Sequence, residues 1–321
     1  MGENFPQQPN VAAYIGGAES NVALALAKWK IPVAYCTAMP NHFLSDTIIA
    51  YYQQMGVDTN TIIKSGERIG AYYLNQGADV KNASVVYDRK HSSFSELKPL
   101  SINWEEVFEG VSWFHFTAIS PALNANIATL CEEALSIATK KGITISLDLN
   151  YREKLWKYGL EPIDVMPKLT AYAHVIMGNI WAAEKMLGIA INPKLILSGS
   201  DIDLVEHAKN TSEEILANYP NCNTVANTFR FNELDGVKYF ATLYQKGTIY
   251  KSNTLFATKT IDKVGTGDCF LAGLIYGILH KQEPPQMVEF AARAAYQKLF
   301  IKGDATTSEA EEIEKLIHQN E

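Results

Sequence analysis

Four consecutive residues late in the chain have the types and spacing for phosphoryl chemistry. Gly265, Thr266, Gly267 and Asp268 stand in the run DKVGTGDCFLAGLIYGIL, and an apolar helical stretch follows them at once. Glycines let the backbone turn tightly into a helix, whose first turn leaves N–H groups without intrahelical partners. Those donors and the positive end of the helix dipole favour an anion, and a phosphoryl group gaining charge during transfer would be stabilised there. Asp268, beside such an anion hole, is a candidate general base. Aspartate is also among the best helix N-caps, so the tetrapeptide alone leaves both roles open. The run is neither a P-loop, since no Gly-Lys-Ser/Thr follows the glycines, nor a GxGxxG dinucleotide fingerprint.

Two other groups could grip a small polar substrate. Tyr87 and Arg89 are two apart and would share one face of a strand. Asp148 and Asn150 share a face at the end of the apolar stretch 143–149, the end at which open α/β sheets bind ligands, and Arg152 follows. A guanidinium can hold a carboxylate by two parallel hydrogen bonds. Taken singly, each has a plainer reading: Tyr72, Tyr73 and Tyr87 could pack a half-buried sheet, Arg89 could be a solvated charge, and Arg152 could pair with Glu153.

The elements that must position these residues alternate. Helical patterns at 21–29, 44–54, 126–140 and about 180–187 are interleaved with strand patterns at 32–37, 111–116, 143–149 and 174–177. Such alternation implies a mostly parallel sheet covered on both faces. Two stretches depart from it. RIGAYYLN and SVVYDR, joined by QGADVKNA, read as a hairpin inserted as a lid. KYFATLYQKGTIY reads as a hairpin near the sheet edge, turning at Lys246-Gly247. From Asp268 onward the pattern is nearly all helix, interrupted at Pro284-Pro285 and at Gly303.

Composition narrows the classes. The chain has 321 residues, 47% of them hydrophobic, enough for a large core. A formal net charge of −7 with mixed signs argues against nucleic acid. Cys36, Cys131, Cys222 and Cys269 form no CxxC pair, which fits a reducing cytoplasm. The longest apolar run, near 270–279, is too short for a membrane span, and the N-terminus shows no signal-peptide pattern.

The GTGD run with its apolar helix resembles the GAGD signature of the ribokinase-like (PfkB) sugar kinases, with threonine in place of the usual alanine. The resemblance runs along nearly the whole chain. Gly16-Gly17-Ala18-Glu19 with Asn21 is similar to the family's N-terminal diglycine motif, and its GGAE form resembles the 2-keto-3-deoxygluconate kinase branch. Arg68 to Tyr73 and VYDR at 86–89 resemble the two lid strands of that branch, and SLDLNYREKLW resembles its DxNxR segment. The resemblance implies a ribokinase-like three-layer α/β/α sandwich with a mostly parallel sheet: one kinase domain over 1–321, with a small β lid from about 10–17 and 66–90. It implies ATP and Mg2+ as cofactors, Asp268 as base, and Gly265, Thr266 and Gly267 as anion hole. Gly16, Gly17, Asn21, Tyr72, Tyr87, Arg89, Ile119 and Arg152 would then bind an acid sugar. Asn179, Thr228, Arg230 and Gly303, with Gly265 and Gly267, would face the nucleotide. A homodimer through the lid is a further expectation.

Two departures stand out. The family's NxxE motif has Asn179 but Ala182 at the glutamate position, and Glu184, two residues on, would be rotated by about 200° on a helix. The lead into Gly16-Gly17 is short, so a further strand upstream of Met1 is expected. Rival readings are a kinase for fructose or another neutral sugar, and an inactive sugar sensor on the same fold.

Overall fold

The computed structural model describes residues 11–74, 85–194 and 199–318. The first part of the chain forms α1 (Ala18–Lys28), β1 (Val33–Ala34), β2 (Thr37–Met39), α2 (Phe43–Gln54), β3 (Val57–Asp58), β4 (Ile62–Lys64), β5 (Ala71–Tyr73) and β6 (Val86–Asp88). The middle forms α3 (Trp104–Val107), β7 (Trp113–Thr117), α4 (Ala125–Lys140), β8 (Thr144–Asp148), α5 (Pro162–Thr170), β9 (Val175–Gly178) and α6 (Ile180–Leu187). It continues through α7 (Asp201–Asn218), β10 (Thr224–Glu233), β11 (Gly236–Gln245) and β12 (Thr248–Lys251). The end forms β13 (Leu255–Ala257), α8 (Thr266–Leu279), α9 (Pro284–Lys298) and α10 (Ala310–His318). The chain divides into two compact units: Met1–Glu96, Asn232–Lys238 and Leu255–Glu321 make the first, and Leu97–Phe231 with Tyr239–Thr254 the second.

In the second unit the alternating pattern becomes a sheet ordered β12-β11-β10-β9-β8-β7. β7, β8, β9 and β10 pair in parallel, with Thr117 opposite Asp148 and Asn227 opposite Gly178. Parallel neighbours need long crossovers, and α4, α5, α6 and α7 occupy them. Asn124, Asn179 and Ser200 cap three of these helices by accepting backbone N–H bonds from Ile127, Ala182 and Asp203. The edge pair β11–β12 is antiparallel. Lys246 (φ 51°) and Gly247 (φ 76°) take the two left-handed positions of its turn. Phe229 and Phe240 stack at 4.7 Å beneath it, both fully buried.

The first unit is built around α8. A helix apolar on every side must be buried on every side, and α8 is buried at Thr266 and from Asp268 to Gly277. Its approach to α9 is set by Gly273, where a Cβ would come within 2.7 Å of the Ala291 Cα. Trp29 at the end of α1 packs edge-on to Tyr276 and Phe290, and its indole N–H donates to the Ser308 carbonyl at 3.0 Å. One side chain thereby ties α1, α8, α9 and the segment before α10. The inserted hairpin forms as expected: β5 and β6 are antiparallel, with Tyr72 opposite Tyr87.

Two local expectations are corrected. The strand expected at 32–37 is broken in two, because β1 pairs with β3 and β2 with β4, and the chain changes partner at Tyr35 and Cys36. Residues 11–17, expected to contribute to the lid, form no strand and lead into α1 through Gly17 at φ 145°. The loop of the inserted hairpin at 75–84, and the lead upstream of residue 11 with the further strand expected before Met1, lie outside the described residues.

Candidate active site

The turn into α8 requires glycine. Gly265 is the N-cap at φ 75°, and a Cβ there would run into the Asp304 carbonyl oxygen. Intrahelical pairing begins where the Cys269 N–H meets the Gly265 carbonyl at 2.9 Å, so the amides of Thr266, Gly267 and Asp268 head the helix as an anion site requires. Because Gly265 occupies the cap position, Asp268 is not the N-cap. Asp268 is instead a buried carboxylate, 8% exposed, whose Oδ2 accepts a bond from Asn21 Nδ2 at 2.7 Å. Asn21 Oδ1 is buried with no protein partner among the described residues. α1 thus delivers Asn21 to the head of α8 and fixes the carboxylate's orientation.

Asp304, which with Gly303 resembles the family's late Gly-Asp motif and was expected near the adenine, is central here. Its side chain occupies the space a Cβ on Gly16 would need, and its carbonyl closes on Gly265. Tyr72 Oη donates to Asp304 Oδ2 at 2.5 Å, joining the lid strand β5 to the floor. Burial pushes the Asp304 carboxyl up, and the Tyr72 hydrogen bond, Lys298 and Arg89 oppose that rise. Burial also pushes the Tyr72 hydroxyl well up, reinforced by Asp304, so Tyr72 stays a hydrogen-bond donor. Asp262 joins the two turns: Oδ1 accepts from Val264 N–H at 3.0 Å and Oδ2 from Gly303 N–H at 3.1 Å. Gly303, expected at the nucleotide, spends its N–H here and lies beneath the Tyr14 ring.

On the lid, Arg68 pairs with Asp88 at 2.6 Å and donates to the Lys90 carbonyl, strapping the two strands at their base. Arg89 lies over the Tyr87 ring at 5.3 Å, and no carboxylate among the described residues forms an ion pair with it.

The second unit gathers its own candidates at the C-terminal ends of its strands. Ala118 N–H donates to the Asp148 carbonyl at 2.9 Å, which sets the loop carrying Ile119 beside the end of β8. Asp148 then turns the chain by accepting from Asn150 N–H at 2.9 Å. Arg152, partly exposed, donates to the Tyr151 carbonyl at 3.0 Å. Thr228 and Arg230 alternate with the fully buried Phe229 on β10, so they share its other face. Asn179 caps α6, with its Oδ1 taken by Ala182 N–H at 2.8 Å.

Comparison with known proteins decides what such a head of helix belongs to. The profile of the "pfkB family carbohydrate kinase" matches residues 2–311, a span that runs through both units. The chain belongs to the pfkB family of carbohydrate kinases. The crystal structure of a 2-dehydro-3-deoxygluconokinase from Thermotoga maritima is similar at a TM-score of 0.89 and 35% identity, covering 98% of this chain and 94% of that one. A 2-dehydro-3-deoxygalactonokinase of Haloferax volcanii is 27% identical over 98% of this chain and 91% of its own length. A 2-dehydro-3-deoxygluconokinase of Bacillus subtilis is 26% identical over 83% and 74%.

In this pfkB kinase the expected residues of the first unit, Gly16, Asn21, Tyr72, Gly265 and Asp268, are brought together around one helix head. The contacts of Asp262 and Lys298 there had no signal in the sequence, and Asp304 was expected only as part of a Gly-Asp pair near the adenine. The metal is a different matter. Among the described residues no group of three or more His, Cys, Asp or Glu side chains could hold a metal ion. Ala182 is buried, and Glu184 pairs with Lys185 at 3.6 Å. This donor set is no protein cage for Mg2+, an ion usually bound through one or two carboxylates plus substrate phosphates and water. No described helix is long and apolar enough to cross a membrane.

Proposed function

We propose that this kinase transfers the γ-phosphoryl group of ATP to the C6 hydroxyl of a 2-keto-3-deoxy sugar acid, with 2-keto-3-deoxygluconate the first candidate. The observation that carries the reading is the Asn21–Asp268 hydrogen bond at the head of α8. A substrate hydroxyl placed there would donate to the Asp268 carboxylate, which takes the proton as the oxygen bonds to the γ-phosphorus and the bond from that phosphorus to the bridging oxygen breaks, ADP leaving. An O–H from the sugar would also satisfy the buried Asn21 Oδ1, which otherwise lacks a donor. The leading amides of α8 offset charge developing on the transferred group. The transfer state is loose, so orientation and electrostatics outweigh strong base catalysis.

The acid-sugar reading is supported by Arg89, which has no carboxylate ion-pair partner among the described residues, and by the names of the relatives. Arg152 is a separate candidate for the carboxylate. The gluconate and galactonate forms differ in the configuration of one hydroxyl, and both names occur among the relatives. Asn179, Thr228 and Arg230 are proposed to face ATP, and Mg2+ to accompany it. The outer lid face, where Tyr73 and Val86 are exposed, is proposed to meet a second copy of the chain.

A coupled ADP-release assay against both keto-deoxy acids, fructose, ribose and gluconate tests the substrate. Arg89→Ala and Arg152→Ala should each cost the acid sugar about 2–5 kcal/mol in kcat/KM, since a desolvated carboxylate is left unpaired. Neutral sugars should lose much less. Wild-type preference for fructose would overturn the acid-sugar reading, and turnover unchanged in excess chelator would overturn the metal-nucleotide reading.

A further inference from the structure

The last helical turn of α9 ends on a lysine that does not reach water. Lys298 is 0% exposed, and its Nζ donates to the Ile301 carbonyl at 2.9 Å. A lysine at a helix C-terminus normally lies in solvent, where it complements the dipole at little cost. A buried ammonium is expensive unless opposite charge surrounds it. Here Asp262, Asp304 and Asp268 all act on it, as does the Cys269 thiol. Burial pulls its pKa down, and the three carboxyl groups, Asp262 first, oppose the fall. The thiol is itself pushed up to about 12 by burial, so it carries no charge. The carboxylates have other neighbours: Asn21 on Asp268, Tyr72 and Arg89 on Asp304, and two backbone amides on Asp262. Arg89, on the lid, is the other cation acting on Asp304, whereas Lys298 acts on all three carboxylates from within the floor.

The segment that Lys298 grips is the one the site closes on. From Ile301 the chain runs to Gly303, held by Asp262, and to Asp304, which fills the space at Gly16 and Gly265. We propose that Lys298 is a positioning residue for phosphoryl transfer: fixed on Ile301, it anchors the 301–304 turn against the anion hole, and its ammonium is the internal countercharge to the acidic cluster of Asp262, Asp268 and Asp304. The proposal rests on the reading of Asp268 as base. It needs no contact between Lys298 and substrate.

The test uses Lys298→Met, which keeps the volume, and Lys298→Ala, which leaves room. Removing a nearby positive charge raises a carboxylate's pKa, so the acid limb of kcat should move up by about 1 pH unit or more. In the Met variant kcat should fall on the order of 10²-fold, the cost of small misplacement at a reacting centre. In the Ala variant, methylammonium should restore activity several-fold where tetramethylammonium does not. Unfolding without substrate supplies the second readout. If carboxylates are left uncompensated, the folded state binds more protons than the unfolded one between the two sets of pKa values. The loss of Tm should then be larger at pH 8 than at pH 5, and Asp262→Asn added to Lys298→Met should recover part of it. A pH-independent Tm loss, with an unmoved acid limb and no amine rescue, would reduce Lys298 to packing and overturn the proposal. If the wild type phosphorylates no sugar, the kinase reading fails, while the pH dependence of unfolding still decides whether Lys298 is the countercharge.

Discussion

Asp268 and Asn21 at the head of α8 are 8% and 4% exposed, and Lys298 behind them is not exposed at all. A few residues of lid away, Tyr73 and Val86 leave 51% and 60% of their surface to solvent. The floor is held by three helices and by polar bonds across long stretches of chain, such as Asn21 to Asp268 and Gly303 to Asp262. The lid is two strands of three residues each, strapped by the Arg68–Asp88 pair and joined to the floor through Tyr72. Short two-stranded ribbons are marginal by themselves. The floor is therefore the firmer of the two, and the lid depends on its contacts with the floor for stability. Chemistry should depend on floor residues and substrate capture on lid residues.

The largest break in that division comes from Asp268→Asn. Asparagine can still accept from Asn21, and Gly265 rather than Asp268 caps the helix. The change removes the proposed base and little else, so kcat should fall by about 10²–10⁴, toward the low end if the transfer state is loose. Thermal unfolding should barely move, and a stability loss with near-normal turnover would show a structural carboxylate instead. Gly265→Ala attacks the floor's geometry. A non-glycine residue in the left-handed region costs about 1–2 kcal/mol before the added methyl meets the Asp304 carbonyl. Unfolding should show a loss of at least about 2 kcal/mol, with activity reduced on acid and neutral sugars alike. If Gly265→Ala left stability intact, the turn would be softer than the floor–lid contrast requires.

Tyr72→Phe lies on the seam. It removes the donor from Asp304 and leaves a buried carboxylate with one bond fewer, a loss of about 1–2 kcal/mol. KM for the sugar should rise several-fold while kcat changes little, because the lid loses its hold on the floor but Asp268 keeps Asn21. A selective fall in kcat would place Tyr72 in the floor and erase the distinction at this position.

The two regions differed in what could be read from sequence. The tight turn into α8 and the burial of its first residues were legible because glycine spacing before an apolar helix states both a backbone conformation and a burial. The hairpin that carries Tyr72 and Tyr87 was legible from its strand-like halves, and the two tyrosines are register partners. The role of Lys298 was not, since a lysine near a helix end is indistinguishable in sequence from a solvated one. Nor were those of Asp262 and Asp304, whose importance comes from contacts with residues far away in the chain. The break between β1 and β2 was hidden for a similar reason: both halves look like strand, and only the change of partner divides them. Local pattern reports what a residue does to its neighbours in sequence, whereas a buried charge network is defined by neighbours in space.

The smallest expected effect is on the lid's outer face, and it sharpens the comparison most directly. Tyr73 stands opposite Val86 in the β5–β6 register, and both are exposed. Replacing the two with serine removes apolar surface that no described part of the same chain covers. Substitutions at such positions typically stay within about 0.5 kcal/mol, so the unfolding of an isolated chain should be nearly unchanged. If this face meets a second copy, the double variant should sediment as a monomer at concentrations where the wild type sediments as a dimer. KM for the sugar should then rise, because a marginal ribbon loses outside support, and kcat at saturation should hold, because the floor is untouched. A wild type that is monomeric at every concentration would make the lid a one-chain device. A variant that loses kcat rather than affinity would mean that lid and floor are mechanically coupled, against the division drawn from their burial.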